Sequence, residues 1–303
     1  MIKIEILDEE IEVYDITVED NHNFYANDIL VHNCTEIFQP TDHDRTALCN
    51  LGSLNLAKVN TLEQLEKTIR IAHRALDNVI DVTSYPIPGT EKVQKHTRAV
   101  GLGVCGEGEL IANKQIIYGS EAHEVYLEEL YGNIARISDK ASEELAIERG
   151  PWKEGKKFRN AYRRANAPTS TISILMGTTA MHEGSFDKVW IEENKLGNVK
   201  MTAPGINPDN FPFYISPYDA DPFGSVRCNA VRTKNTDQGT SYNIYFRPGT
   251  SGKTVYDVIM LAWELGFKST YYLRSEGVKI KDDSELNELQ VKTNKISCVG
   301  CEN

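Results

Sequence analysis

Apolar and polar residues alternate at the start of the chain. Ile2, Ile4 and Ile6 are spaced by two, and Val13, Ile16 and Val18 lie in a second β-rich run, so residues 1–33 predict short strands. Asn27-Asp28 marks a turn before the apolar run Ile29-Leu30-Val31. From residue 34 the period changes. Leu62, Leu65, Ile69, Ala72, Leu76 and Val79 step by three or four, predicting a helix over 61–82 with Thr61 and Gln64 as a capping box and Pro86 and Pro88 beyond its end. Val100 to Val104 reads as a buried strand. Ser120 opens a long helix that closes at Gly150-Pro151. TISILM, residues 171–176, reads as a strand. Residues 205–250 are rich in Pro, Gly, Asn and Asp and predict long loops. Thr254 and Asp257 open a last helix, VYDVIMLAWEL, closed by Gly266, and the β-rich run FKSTYYL follows. Residues 274–303 are polar, with mobility expected at the end. Strands alternating with helices predict an α/β fold with a parallel sheet or barrel.

Composition narrows this picture. The chain has 303 residues, 40% hydrophobic and 25% charged, enough for one large α/β domain or two ordinary ones. No stretch reaches the roughly 18 apolar residues of a membrane span, and the acidic start lacks the basic region of a signal peptide. Six cysteines at 34, 49, 105, 228, 298 and 301 are too few for a secreted disulfide framework, so a cytoplasmic setting with reduced thiols is expected. The net charge of −11 argues against a nucleic-acid groove. Residues 1–33 carry −8 of it, with nine acids against Lys3. That asymmetry suggests a separate module with a basic partner. Thirty-three residues of β structure cannot bury a core alone.

The chemistry of that module centres on His32-Asn33-Cys34. An asparagine carboxamide can attack its own backbone carbonyl and cleave the chain after itself. A preceding histidine can polarise that carbonyl, and a following cysteine is a nucleophile for acyl transfer. The run VYDITVEDNHNFYANDILVHNC, residues 13–34, resembles the C-terminal splicing motif of inteins. The resemblance implies that Asp15 assists the nucleophiles, that His22 is the internal histidine, that His32 is the penultimate histidine, that Asn33 cyclises, and that Cys34 is the first residue of the flanking protein. Starting at Met1 without the first half of such an element, the chain is expected to splice in trans. Its partner would be an N-terminal fragment carrying the other intein half.

Beyond the junction, Cys34 and Glu36 lie two residues apart and would face one side of a strand. Cys49 follows in TALCNLGSLNL, Tyr271-Tyr272 is a tandem phenol pair, and Cys298-Val-Gly-Cys301 ends the chain. With ALDNVIDVTSYPIP, RAVGLGVCGEGEL and APTSTISILMGTT, residues 34–303 resemble the large subunit of class I ribonucleotide reductases. The resemblance implies the C-terminal part of a ten-stranded α/β barrel, here divided as an intein segment at 1–33, a barrel portion at 34–290 and a redox tail at 291–303. It implies reduction of ribonucleoside diphosphates to deoxyribonucleotides. Cys34 would be the thiyl radical and Glu36 the base for the 3′-hydroxyl. Cys49 would be one of two cysteines that supply electrons. Tyr271 and Tyr272 would relay the radical from a metal-containing small subunit, and Cys298 and Cys301 would re-reduce the active site and be recharged by thioredoxin or glutaredoxin. No cofactor is expected on this chain itself. The ATP and deoxynucleotide effectors would bind the missing N-terminal piece.

Two motifs need separate weighing. Gly101-Leu-Gly-Val-Cys-Gly106 satisfies a dinucleotide fingerprint, but no βαβ unit with a ribose-binding acid is evident, so it reads as a strand-to-helix packing point. The run from Pro168 to Ser173 with Gly177-Thr178-Thr179 corresponds to a turn and helix start that bind substrate phosphates in the family, with Thr178 and Thr179 the chosen contacts. The chain continues Ala180-Met181-His182-Glu183-Gly184, whereas many relatives end a small-residue stretch in Ile-Glu-Pro. Cys105 and Cys228 match no catalytic motif and read as structural. Three other readings stay open at this point: a cobalamin-dependent reductase, which would not need the tyrosine pair; an inactive docking fragment with a dead intein remnant; and a zinc module on Cys298 and Cys301, disfavoured by ligand count.

Overall fold

The computed structural model describes residues 23–26, 29–32, 36–42, 44–48, 50–87, 89–194 and 197–275. Within the first module, β1 (Asn23–Ala26) pairs antiparallel with β2 (Ile29–His32), placing His32 opposite Asn23. The strands expected earlier in the module lie outside the described residues.

The body begins with β3 (Leu51–Asn55), followed by α1 (Leu62–Val82) and α2 (Thr90–Thr97). Thr61 caps α1 by accepting from the Gln64 amide, and the Gln64 side chain accepts from the Asn60 amide. This reciprocal cap is worth about 1 kcal/mol. Leu65, Ile69, Leu76 and Ile80 form its buried stripe, each contributing about 2 kcal/mol on burial. Leu62 and Val79, expected in that stripe, are 50% and 44% exposed. Their places are taken by the polar side chains His73 and Asp77. His73 bonds Ser138 at 2.6 Å, and Asp77 holds Arg98, Arg149 and Arg159.

Next come β4 (Gly101–Cys105), α3 (Glu107–Asn113) and α4 (Glu121–Arg149), capped by Ser120 and ended by Gly150. β3 and β4 pair parallel, and both α1 and α4 pack over them with Leu127, Tyr131, Ile134 and Ile137. The glycines of the fingerprint-like run act as packing points. A Cβ on Gly103 would lie 2.3 Å from the Ala165 carbonyl, and Gly106 turns the chain into α3 at φ +77°.

α5 (Ser170–Met176) corrects the strand expected at 171–176. The β-branched run is helical because both ends are fixed. Thr169 enters at φ +53° and accepts from the Met181 amide, and Gly177 leaves in the left-handed region. A hairpin of β5 (Val189–Asn194) and β6 (Gly197–Thr202) follows. α6 (Pro222–Lys234) then interrupts the expected loop region, capped by Asp221 with Pro222 in its first turn. β7 (Ile244–Phe246), α7 (Gly252–Glu264) and β8 (Leu273–Ser275) complete the chain order. Ser251, ahead of the expected start, caps α7, and only the end of FKSTYYL is strand. β7 and β8 pair parallel, and α6 and α7 cover them through Val226, Val258 and Ala262.

Among the described residues, regular pairing gives four two-stranded sheets, two of them parallel. Further backbone bonds extend the β3–β4 pair sideways. Leu102 donates to Arg163, Ala165 to Leu102, Asn166 to Gly239, and Gly239 to Glu36. The result is a mixed α/β body in which distant segments meet edge to edge beside Glu36. No helix among the described residues is long and apolar enough to cross a membrane.

Candidate active site

Glu36 is a carboxylate with 1% of its surface exposed. Burial of an unpaired acid is costly, so its partners matter. Gly239 donates its amide to the Glu36 carbonyl at 2.7 Å, and Ser241 donates its hydroxyl to Oε2 at 2.5 Å. Gln39 donates to the Gln238 side chain at 3.3 Å, so residues 36–39 lie along residues 238–241. Asn166 fixes the second segment. It exchanges backbone bonds with Gly239 and Ser241, and its amide group donates to Thr236 and Thr240.

The next residue carries this frame to the tyrosine pair. The Tyr242 carbonyl accepts from the Tyr271 amide at 2.9 Å, and the Tyr272 carbonyl accepts from Ile244 at 2.8 Å. Tyr271 and Tyr272 have ring centroids 3.8 Å apart, and the Tyr272 hydroxyl donates to that of Tyr271 at 2.8 Å. The Arg274 guanidinium sits 5.0 Å from the Tyr272 ring centre. Phenols this close and joined by a hydrogen bond can exchange an electron and a proton over one short step. Residues 241 and 242 therefore tie the buried carboxylate and the phenol pair to one short segment.

Thr178 and Thr179 are 4% and 5% exposed. Thr178 donates to Glu109 at 2.6 Å, while the Thr179 hydroxyl accepts from the Glu109 amide at 3.2 Å. The Thr179 carbonyl accepts from Gly106 at 2.7 Å. Both hydroxyls thus join the turn after α5 to the start of α3. Ser170 and Thr171, at the start of α5, are more accessible, with Thr171 exposed.

Sequence reasoning missed a buried ionic centre. Glu107 accepts from Tyr131 at 2.7 Å, from His123 at 3.1 Å and from the Arg232 guanidinium. Burial alone would raise the Glu107 pKa, but Arg232 and His123 outweigh it and hold the group well below the usual carboxylate range. Cys228 Sγ lies 3.5 Å from His123 Nδ1, which completes a Cys–His–Glu series. That series has the order of a nucleophilic triad, but burial pushes the Cys228 thiol up to about 12, and all three residues are inaccessible. It is a core lock, as is Cys105, whose thiol burial pushes up to about 11. Glu183 is likewise buried, accepting from Asn243 and Tyr245, and its pKa is raised by burial. Three glutamates at 107, 109 and 183 carry no periodic signal that marks them as buried.

Of the other expected site residues, His32 ends β2. Asp15, His22, Asn33, Cys34, Cys49, Cys298 and Cys301 lie outside the described residues. Among the described residues no group of three or more His, Cys, Asp or Glu side chains is placed to hold a metal.

Comparison with known proteins adds the following. The family described as "Ribonucleotide reductase, barrel domain" matches residues 13–158 and 152–273. The chain is 36% identical over 302 positions to the ribonucleoside-diphosphate reductase subunit alpha of Helicobacter pylori, covering 85% of this chain and 38% of that protein. It is 32% identical over 276 positions to the subunit of the same name from Treponema pallidum, covering 80% and 33%. With that of Chlamydia pneumoniae it shares 28% over 339 positions, covering 84% and 32%. The chain therefore spans about a third of the length of these relatives.

Proposed function

We propose, from the premise that this chain belongs to the ribonucleotide reductase barrel-domain family, that it is the C-terminal portion of a class I ribonucleoside-diphosphate reductase large subunit. Its N-terminal module, residues 1–33, is on this reading the C-terminal half of a split intein, followed by the barrel portion at 34–290 and a redox tail at 291–303. The observation that carries the enzymatic reading is the close, hydrogen-bonded pair Tyr271–Tyr272, held to the same segment as the buried Glu36.

In the proposed reaction the Tyr pair passes an oxidising equivalent from a metal-containing small subunit to Cys34. The Cys34 thiyl radical takes the 3′-hydrogen of a ribonucleoside diphosphate, and Glu36 takes the 3′-hydroxyl proton. The 2′-hydroxyl leaves as water. Cys49 and a cysteine on the N-terminal piece supply two electrons and become a disulfide. The 3′-hydrogen then returns from Cys34, which regenerates the radical. Cys298 and Cys301 reduce the disulfide by thiol exchange and are themselves reduced by thioredoxin or glutaredoxin. The substrate phosphates are assigned to the turn and helix start from Pro168 to Ser173 with Gly177-Thr178-Thr179. Thr178 contacts a phosphate only by exchanging its bond to Glu109, so Thr178 and Thr179 act chiefly by shaping that turn.

Splicing precedes this chemistry. Asn33 cyclises with help from His32, while Asp15 and His22 assist the acyl transfer onto Cys34. The charge of −8 on residues 1–33 draws in a basic N-terminal intein fragment. Cys34 then serves twice, first as splicing nucleophile and later as radical site. The test is to join the chain to its N-terminal piece and assay deoxynucleoside diphosphate formation with the small subunit and a dithiol reductant. Turnover that survives Glu36→Gln or Tyr272→Phe refutes the enzymatic assignment. Turnover that needs added cobalamin and no small subunit replaces class I by the cobalamin-dependent class.

A further inference from the structure

Ser241 contributes a hydroxyl where the backbone does not need one. Its amide is already bonded to the Asn166 carbonyl at 2.9 Å, and its side chain is fully buried. The hydroxyl proton goes to Glu36 Oε2 at 2.5 Å, a charge-assisted bond between residues 205 positions apart. The Ser241 backbone is fixed from two sides. Asn166 brackets it through Gly239 and Ser241, and the next carbonyl, that of Tyr242, is held by Tyr271. A short side chain on so constrained a backbone has little freedom in where it points its hydroxyl.

Among the described residues, Glu36 belongs to no regular helix or strand. Its carbonyl bond to Gly239 and the Gln39–Gln238 contact align the backbone but leave the carboxylate's rotation unset. Ser241 supplies that missing restraint. We propose that Ser241 is a positioning residue for Glu36, holding Oε2 so that Oε1 meets the substrate 3′-hydroxyl. The inference rests on the assignment of Glu36 as the base.

The position also couples two parts of the reaction. Ser241 orients the base, and Tyr242, one residue on, holds the backbone of Tyr271. A displacement of this dipeptide moves proton acceptor and radical relay together, so substrate deprotonation and radical delivery share one rigid reference.

The experiment uses the joined large subunit with its small subunit, a cytidine diphosphate substrate and its 3′-deuterated form. Ser241→Ala is expected to lower kcat by on the order of 10²-fold with KM within about twofold, since misplacing a catalytic group by a fraction of an ångström has effects of that size. The deuterium effect on kcat is expected to rise, because hydrogen abstraction at C3′ slows when its coupled proton acceptor is misaligned. Ser241→Thr keeps the hydroxyl and is expected to recover most of the rate. A wild-type kcat in Ser241→Ala overturns the proposal. So does a lowered rate with an unchanged isotope effect, which marks a merely structural residue, or a threonine variant as impaired as alanine. If the alanine variant does not fold by circular dichroism, Ser241→Cys, similar in size and a weak donor, is read by the same criteria. Full turnover in Glu36→Gln would sink the underlying assignment of the base, whatever the Ser241 variants do.

Discussion

Tyr272 donates its phenol hydrogen to Tyr271 across 2.8 Å, with the ring centroids 3.8 Å apart and the planes tilted by 34°. On the proposed relay, this bond would give the proton a defined route when an electron moves between the rings. On that reading, removing either hydroxyl would break the route and delete this hydrogen bond, worth about 1 kcal/mol. Tyr271→Phe and Tyr272→Phe are therefore expected to leave the thermal midpoint within a few degrees of wild type, because the bond is small against total stability. Steady-state turnover of the joined enzyme should fall to background in both. Rapid-quench assays of deoxynucleotide formation beside a melting curve check the two halves of this statement, and residual turnover near wild type would refute the relay.

Glu107 and Arg232 form a different kind of pair, fully buried and bridged to His123 and Tyr131. Neither partner can be removed without stranding the other's charge. Arg232→Met is expected to destabilise the folded chain by about 3–5 kcal/mol, and Glu107→Gln by a similar amount. Replacing both together by apolar residues should cost less than the sum of the single changes, because no charge is left uncompensated. A double-mutant cycle in urea checks this coupling, and simple additivity would contradict it.

The legible and illegible parts of this molecule differ in where their information resides. α1 and α4 were readable because long periodic stripes end in local caps at Thr61, Ser120 and Gly150. α5 was misread because TISILM is rich in β-branched residues, while its helix is imposed by Thr169 and Gly177 at its ends. Its Ile174 and Leu175 are 80% and 85% exposed, so the apolar run did not report burial. α6 was missed because its buried face mixes Val226 and Val231 with Ser225, Asn229 and Arg232, leaving no clean apolar stripe. Tyr271–Tyr272 and the Cys34–Glu36 spacing are short local motifs, so the sequence displays them whatever their roles. Ser241 is not displayed in this way, because its meaning comes from a contact spanning 205 positions, which no local pattern encodes.

Two histidines make folding sensitive to mild acid. His73 and His182 are fully buried, and burial, added to by nearby arginines, lowers each pKa from 6.5 to about 3. Between those values the unfolded chain binds more protons than the folded one. Stability is thus fully present above pH 6.5 and lost as pH falls from 6.5 toward 3, by up to about 1.4 kcal/mol per pH unit for each histidine. Denaturation midpoints at pH 7.5, 6 and 5 should decline in that order. His182→Leu should flatten the decline, since among the described residues its ring nitrogens have no hydrogen-bond partner to lose. An unchanged slope in that variant would contradict the assignment.

The proposed double use of Cys34 gives the most discriminating outcome. Co-expression of the chain with its N-terminal piece should yield a ligated polypeptide lacking residues 1–33, seen as a defined mass. Asn33→Ala removes the carboxamide that releases the intein, so ligation should stall at a branched or unreacted species. Cys34→Ser retains an oxygen nucleophile and can still accept the acyl group, though more slowly, because a hydroxyl is a weaker nucleophile than a thiolate. The same serine cannot form a thiyl radical. The Cys34→Ser product, once joined, is therefore expected to be folded and inactive, separating the two roles on one atom. Deoxynucleotide formation by that joined product would remove the radical assignment. Failure of the wild-type chain to ligate at all would remove the splicing one and leave the reductase reading standing.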